Sequence, residues 1–219
     1  MRCRTHTMGM TLVELLVAIS VLGIVAMLGW RGLDSITRAR ASLNRELEQA
    51  RGLQLAFAQL QTDCANAADV DTLDGHAPLM MDDTHLTLAR RLQPEAQAGA
   101  LQLVTYRLQD GVLTREESAA TRRLAQLAQD WQQSQTGSAL RVTLQKDVQA
   151  MKLRVWADDG RGWRSWQQMA ASNLTSGGAL MNPQAGTTAM QTVWSGVEVS
   201  LQMNGKEAAL TKIFMLGAV

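Results

Sequence analysis

The chain opens with an apolar run that gives way first to a helical stripe and then to short alternating segments. Residues 10–30 carry one charge, Glu14. As a helix at about 1.5 Å per residue they are about 31 Å long, which matches the hydrocarbon core of a bilayer. Trp30 ends the run, where an aromatic ring suits the membrane interface. The pattern predicts one membrane-spanning segment, residues 10–30.

A stripe of apolar residues follows this run at three-, four- and seven-residue steps, which is typical of one face of an α-helix. Its members are Leu33, Ile36, Leu43, Leu47, Ala50, Phe57, Leu60 and Cys64. Because no proline interrupts it, one helix is predicted from Met10 to about Asp63, with residues 31–63 beyond the membrane. We expect the stripe from about Leu43 onward to pack on the chain's own globular part. Gly23, Gly29, Gly32 and Gly52 are weak points at which the helix could bend.

Alternating segments after about residue 64 predict β-hairpins. Two such segments flank Asp110-Gly111, two flank a turn at residues 158–162, and two flank Asn204-Gly205. Asn-Gly is the strongest of these turn signals, because both residues tolerate the positive φ of a type I′ turn.

The remaining segments complete an α+β architecture. A strand is expected within residues 84–92, a helix or extended polar loop at residues 118–135, and a long loop at residues 172–191. We therefore predict a long N-terminal helix packed on a mainly antiparallel β head, residues 64–219.

Composition excludes several classes of protein. The 21 basic and 20 acidic residues give a net charge of +1, so the basic footprint of a nucleic-acid-binding protein is absent. Two cysteines cannot build a disulfide framework, and we expect Cys64 to be a small buried residue. Gly-x-Ser-x-Gly and phosphate-loop motifs are missing, and neither His76 nor His85 has a nucleophile partner in the sequence. We predict no catalytic residue, no enzyme activity and no cofactor.

Two local groups of residues invite a binding function. Residues 69–75 are acidic, but counting from Asp69 an EF-hand would need ligands at Leu73 and Met80, so we expect a solvated loop and no metal site. Trp156, Trp163 and Trp166 surround one predicted hairpin. They could form a ligand-stacking platform or an interface hot spot; partial burial in a small β core is favoured by their size.

The apolar run itself has three interpretations. A secretory signal peptide has an apolar stretch of about 7–15 residues and a small-residue cleavage site. This run is longer and ends in Met-Leu-Gly-Trp. A plain anchor explains the length but not Glu14, since a carboxylate within a span costs about 2.5–3.5 kcal/mol. The third interpretation gives Glu14 a partner.

Residues 9–15, Gly-Met-Thr-Leu-Val-Glu-Leu, resemble the prepilin motif of type IV pilins and type II secretion pseudopilins. The resemblance implies a leader, residues 1–9, that a prepilin peptidase removes on the cytoplasmic face by cleavage between Gly9 and Met10. It also implies methylation of the new Met10 amine, at a place where the family usually has Phe. Glu14 would then contact the terminal amine of a neighbouring subunit during assembly.

Further segments are similar to the J-type minor pseudopilins of type II secretion, namely residues 29–34, 106–113, 160–166 and 197–201. The similarity implies a non-catalytic, single-pass protein of the bacterial inner membrane with its head in the periplasm. Its implied partners are the I- and K-type minor pseudopilins and the pseudopilus, with no nucleic acid. A minor pilin of a type IV pilus is an alternative within the family, and a single-span periplasmic binding protein or enzyme is an alternative from another class.

Overall fold

A computed structural model describes residues 11–74, 78–92, 99–134, 140–157, 162–168 and 194–217. Helix α1 comprises Leu12–Ala65 and the strands that follow pair antiparallel, so the predicted α+β class with a long N-terminal helix is confirmed. The chain divides into two compact units, Met1–Glu48 and Gln49–Val219. The predicted loop at residues 172–191 lies outside the described residues.

The first sheet of the second unit is a five-stranded meander in which each strand pairs with its neighbour in sequence. Its strands are β1 (Leu79–Met81), β2 (His85–Leu92), β3 (Ala100–Gln109), β4 (Val112–Glu117) and β5 (Leu140–Gln145). Helix α2, Leu124–Gln133, connects β4 to β5 and packs on β3 through Leu127. The helix-or-loop segment is thus an extended stretch followed by a helix.

The second sheet has four strands in the order β7-β6-β8-β9. They are β6 (Val148–Ala157), β7 (Gly162–Ser165), β8 (Trp194–Met203) and β9 (Leu210–Met215). One core contains residues of α1 and of both sheets, including Phe57 from α1, Leu86 from β2 and Val199 from β8. The C-terminal part of α1 therefore belongs to the same core as the two sheets.

The Asp-Gly and Asn-Gly turn signals each mark a hairpin in the structure, and the two connections differ in length. Asp110 and Gly111 both have positive φ, 51° and 75°, and form the two-residue connection between Gln109 and Val112 that Asp-Gly predicts. At Asn204-Gly205 only the glycine has positive φ, 75°. The Lys206 amide donates to Met203, which closes a β-turn, and pairing with β9 resumes at Leu210. The hairpin that Asn204-Gly205 predicts is therefore confirmed, with a connection longer than two residues.

Burial along α1 starts later than the stripe predicts. Leu43 and Leu47 are 57% and 47% exposed, and the first buried side chain is that of Leu53. Gly52 lets the Gln145 side chain of β5 approach the helix closely, since a Cβ at Gly52 would lie 1.8 Å from Gln145 Oε1. Gly52 is thus a close-packing position within a continuous helix.

Candidate functional site

The N-terminal part of α1 is apolar and uncovered. Its best 18-residue window has a mean hydropathy of 2.5, and none of that window is buried within the chain. Of the described residues, only α1 forms a helix long and apolar enough to cross a membrane. The length and the composition of this segment thus agree with the predicted membrane span.

Glu14 lies in the first turn of α1 and caps it. The Thr11 amide and hydroxyl donate to Glu14 Oε2 at 2.9 and 3.0 Å, and the Glu14 amide donates to Thr11 Oγ1 at 3.3 Å. This reciprocal pattern is a capping box, which satisfies amides that have no partner within the helix. The Thr-x-x-Glu spacing of residues 11–14 is the sequence signal of this capping box. Gly9 and Met10 lie outside the described residues.

The second polar feature of α1 is a carboxylate buried on its head-facing side. Asp63 has no exposed surface. Its Oδ1 accepts from Arg90 Nη1 at 2.7 Å and from Arg115 Nη2 at 3.0 Å. Its Oδ2 accepts from Arg115 Nε at 2.8 Å and from the Tyr106 hydroxyl. The Arg115 guanidinium therefore binds Asp63 through two parallel hydrogen bonds, the strongest geometry for such a pair.

Neighbouring side chains complete what we call the Asp63 cluster: Asp63, Arg90, Gln102, Tyr106, Arg115 and Glu117. Arg90 Nε and Nη2 donate to Gln102 Oε1 at 3.1 and 2.8 Å. Glu117 Oε1 accepts from Arg90 Nη2 at 3.1 Å and from Arg115 Nη1. The cluster joins the last turn of α1 to β2, β3 and β4, and the hydrogen-bonding atoms that it buries are partnered as such a site requires.

The surroundings of two cluster members, Tyr106 and Arg115, favour their protonated forms. Burial and the nearby Asp63 charge raise the pKa of the Tyr106 hydroxyl, which remains a proton donor. Burial alone would lower the pKa of Arg115, but hydrogen bonds and attraction from Asp63 outweigh it and raise the pKa above its usual range. A neutral phenol and a fixed guanidinium are both hydrogen-bond donors to Asp63, so this arrangement holds the last turn of α1 against the first sheet.

Sequence reasoning missed the Asp63 cluster, although one signal was present. Asp63 falls three residues after Leu60 and next to Cys64, on the face that the stripe predicts to be buried. An acid there needs a buried cation. Which arginines supply it depends on strand pairing, because Tyr106 lies opposite Arg115 and Arg90 opposite Gln102.

Cys64, next to Asp63, is fully buried, as expected for a small packing residue. Burial, with the adjacent Asp63 charge, raises the pKa of its thiol to about 12. The thiolate is therefore scarce at neutral pH, and Cys64 lacks the microenvironment of a reactive cysteine.

The three tryptophans do not form one platform. Trp156 and Trp163 meet edge to face, with ring centroids 5.5 Å apart and planes at 70°. They cover Gly196, where an added Cβ would lie 3.6 Å from each side chain. Trp166 instead packs against the main core. Trp163 and Trp166 are half-buried, as their size predicts, whereas Trp156 is exposed at 39%. The edge-to-face pair of Trp156 and Trp163 lacks the stacking surface that coplanar rings would provide.

The carboxylates of Asp69 and Asp82 accept hydrogen bonds from backbone amides of their own turns. Asp69 Oδ1 accepts from the Thr72 amide at 2.6 Å, and Asp82 Oδ1 accepts from the Thr84 and His85 amides at 2.6 and 2.7 Å. Asp82 Oδ2 lies 2.5 Å from His85 Nδ1. Within the described residues no group of three or more acidic, histidine or cysteine side chains could hold a metal ion. His76 lies outside the described residues.

Compared with known proteins, the chain matches no protein-family model and no characterised protein significantly.

Proposed function

We propose that this protein is a structural assembly subunit, a J-like minor pseudopilin of a type II secretion system, and not an enzyme. One observation carries the proposal. The Gly-Met-Thr-Leu-Val-Glu motif stands directly at the start of an apolar, uncovered helix, and that same helix ends in the core of an antiparallel β head. An assembly subunit whose leader is removed needs a membrane-spanning segment and a segment that packs in its head, and α1 contains both in this proposal.

The geometry at Glu14 supports an assembly role. Both hydrogen bonds to its carboxylate go to Oε2, and among the described residues none goes to Oε1. A carboxylate has about four acceptor sites, so the capped Glu14 can still accept an ammonium group. In hydrocarbon such a charge partner relieves the cost of burying the carboxylate. The methylated Met10 amine of a neighbouring subunit is the partner that we propose.

In this proposal the helix anchors the protein in the inner membrane, and the head lies in the periplasm. Prepilin peptidase removes residues 1–9, and the mature chain joins I- and K-type minor pseudopilins at the pseudopilus tip. In this proposal the head contributes binding surfaces rather than chemistry.

Processing at Gly9 tests the proposal directly. The chain is produced in a host with an active prepilin peptidase, and its N-terminus is determined by mass spectrometry. We expect a mature protein that begins at methylated Met10, and we expect Gly9→Val to retain the leader. Gly29→Val is the matched control, because Gly29 lies in the same helix with open space around it and should be processed normally. An intact leader on the unaltered chain would refute the family assignment.

Export separates secretion from pilus assembly. Deletion in the native host is expected to abolish export of secreted enzymes across the outer membrane and to leave surface pili unchanged. Normal export with loss of pili would assign the protein to a type IV pilus instead.

A further inference from the structure

The buried face of α1 does not by itself define how far along its axis the helix sits on the head. Leu53, Phe57, Leu60 and Cys64 are buried in consecutive turns. A slide by one turn would replace each of these apolar side chains by the next one, so apolar packing discriminates weakly between the two positions. Coiled coils with uniform apolar seams have the same ambiguity, and one buried polar residue often resolves it.

Asp63 is the only acidic residue among the buried side chains of α1. If α1 slid by one turn toward its C-terminus, Gln59 would take the place of Asp63, and a neutral amide would face Arg90 and Arg115. A slide the other way would require residue 67, which is beyond the helix end at Ala65. Both slides take the Asp63 carboxylate away from two guanidinium groups, 15% and 7% exposed, and leave them only the partly exposed Glu117.

Gly52 adds a weaker preference for the same position. The atom nearest its missing Cβ is Oε1 of Gln145, at the end of a flexible side chain that can move aside. The Asp63 cluster has no such freedom, because Asp63 receives hydrogen bonds from three side chains on three different strands.

We propose that the Asp63 cluster sets the axial register of α1 on the head and that this, rather than net stability, is its role. The proposal goes beyond the assembly function and does not depend on it. It makes Asp63, Arg90 and Arg115 positioning residues. Replacing the cluster by apolar side chains of similar size then leaves a folded protein whose helix has lost its single position.

The experiment measures two distances in the full-length chain in detergent by pulsed electron paramagnetic resonance. One spin label replaces exposed Leu55 on α1, and the second replaces either Gln149 or Arg123 on the head. Gln149 lies near the Gly52 end of the contact, because it lines one surface pocket with Lys146, the residue after Gln145, whose side chain meets Gly52. Cys3 is changed to Ser, and Cys64 is kept because its thiol is buried.

Position 123 marks the opposite end of the contact. Thr121 bridges to Leu101, Leu101 pairs with Arg91, and the Arg91 amide donates to Asn66, just past the end of α1. An axial slide therefore changes the 55–149 and 55–123 distances in opposite directions, which distinguishes it from general loosening.

The test variant carries Asp63→Leu, Arg90→Met, Arg115→Met and Tyr106→Phe. We expect one narrow distribution for each pair in the unaltered chain. We expect the folded variant to show second populations, displaced by up to about 5 Å, one helical turn, with opposite signs for the two pairs.

The control variant, Arg154→Met with Glu198→Leu, removes an ion pair between β6 and β8 and should keep the original distances. A folded test variant with unchanged distances would overturn the proposal. Unfolding of the test variant would overturn it too, because the cluster would then supply stability that apolar packing cannot replace.

Discussion

Removal of the Asp63 carboxylate alone should destabilise the head far more than any exposed charge does. Asp63→Ala takes away both oxygens that receive Arg90, Arg115 and Tyr106. The two guanidinium groups stay buried, and Glu117, which is about one-third exposed, is the remaining anion. Breaking a buried ion pair from one side costs about 3–5 kcal/mol, because the surviving charge is left uncompensated.

The size of the loss can be checked against a second substitution in the same cluster. Arg115→Met in the Asp63→Ala background removes one of the orphaned charges, so the double variant should regain stability relative to Asp63→Ala. The two effects are then non-additive, with an interaction energy on the order of 1–3 kcal/mol. Asp69→Asn is the control, because the Asp69–Arg91 pair is exposed at 3.6 Å and contributes under about 1 kcal/mol.

Urea unfolding of the full-length chain in detergent, followed by circular dichroism, gives these free energies by linear extrapolation. Asp63→Ala is expected to lower the transition midpoint with little change in slope. A loss below about 1 kcal/mol, or strictly additive effects of Asp63→Ala and Arg115→Met, would refute the argument that the cluster is desolvated and coupled.

Three further predictions concern other parts of the chain. Glu14→Ala and Glu14→Gln should keep leader cleavage but weaken binding to tip partners by about 1–3 kcal/mol, so that less partner co-purifies at equal abundance of the variant; equal recovery would exclude an assembly role. Because burial begins at Leu53, a fragment starting at Gln49 should be soluble and folded with a mixed helix–strand spectrum; a need for detergent would contradict this. Burial, aided by Arg107, lowers the pKa of His85 despite the adjacent Asp82, so its neutral form is favoured in the folded state. Stability should therefore be complete above the ordinary pKa of 6.5 and fall below it, and urea midpoints at pH 7.5 and 5 should differ less in His85→Gln.

Signals that act within a few residues of sequence predicted helix α1 and the hairpin at Asp110-Gly111. The apolar stripe predicts α1 almost to its last residue, and Asp110-Gly111 predicts its hairpin, because φ preferences and periodicity act within a few residues. Strands β1 and β5 were missed: β1 has three residues, and β5 gains its place by pairing with β4.

Long-range packing decided the features that the sequence could not predict. Leu43 and Leu60 share one periodic stripe, yet only Leu60 meets the sheets. Asn204-Gly205 has the composition of a type I′ turn, but the Asn204 amide donates to Asp147 of another connection, and Asn204 keeps a negative φ. Asp63 finds its arginines through strand registers that no local pattern encodes.

The different connectivity of the two sheets has a consequence for the order of folding. Every pairing in the five-stranded sheet joins strands consecutive in sequence, so its loops close early and at modest entropic cost. In the four-stranded sheet β6 pairs with β8 across residues 158–193, and that pairing can form only after β8 has been synthesised. The Asp63 cluster, which uses β2, β3 and β4 only, can thus assemble while the other half of the core is still missing. During synthesis the chain would therefore pass through an intermediate in which α1 packs on the first sheet. In that intermediate the apolar side chains that contact β6, β8 and β9 in the final core would still be uncovered.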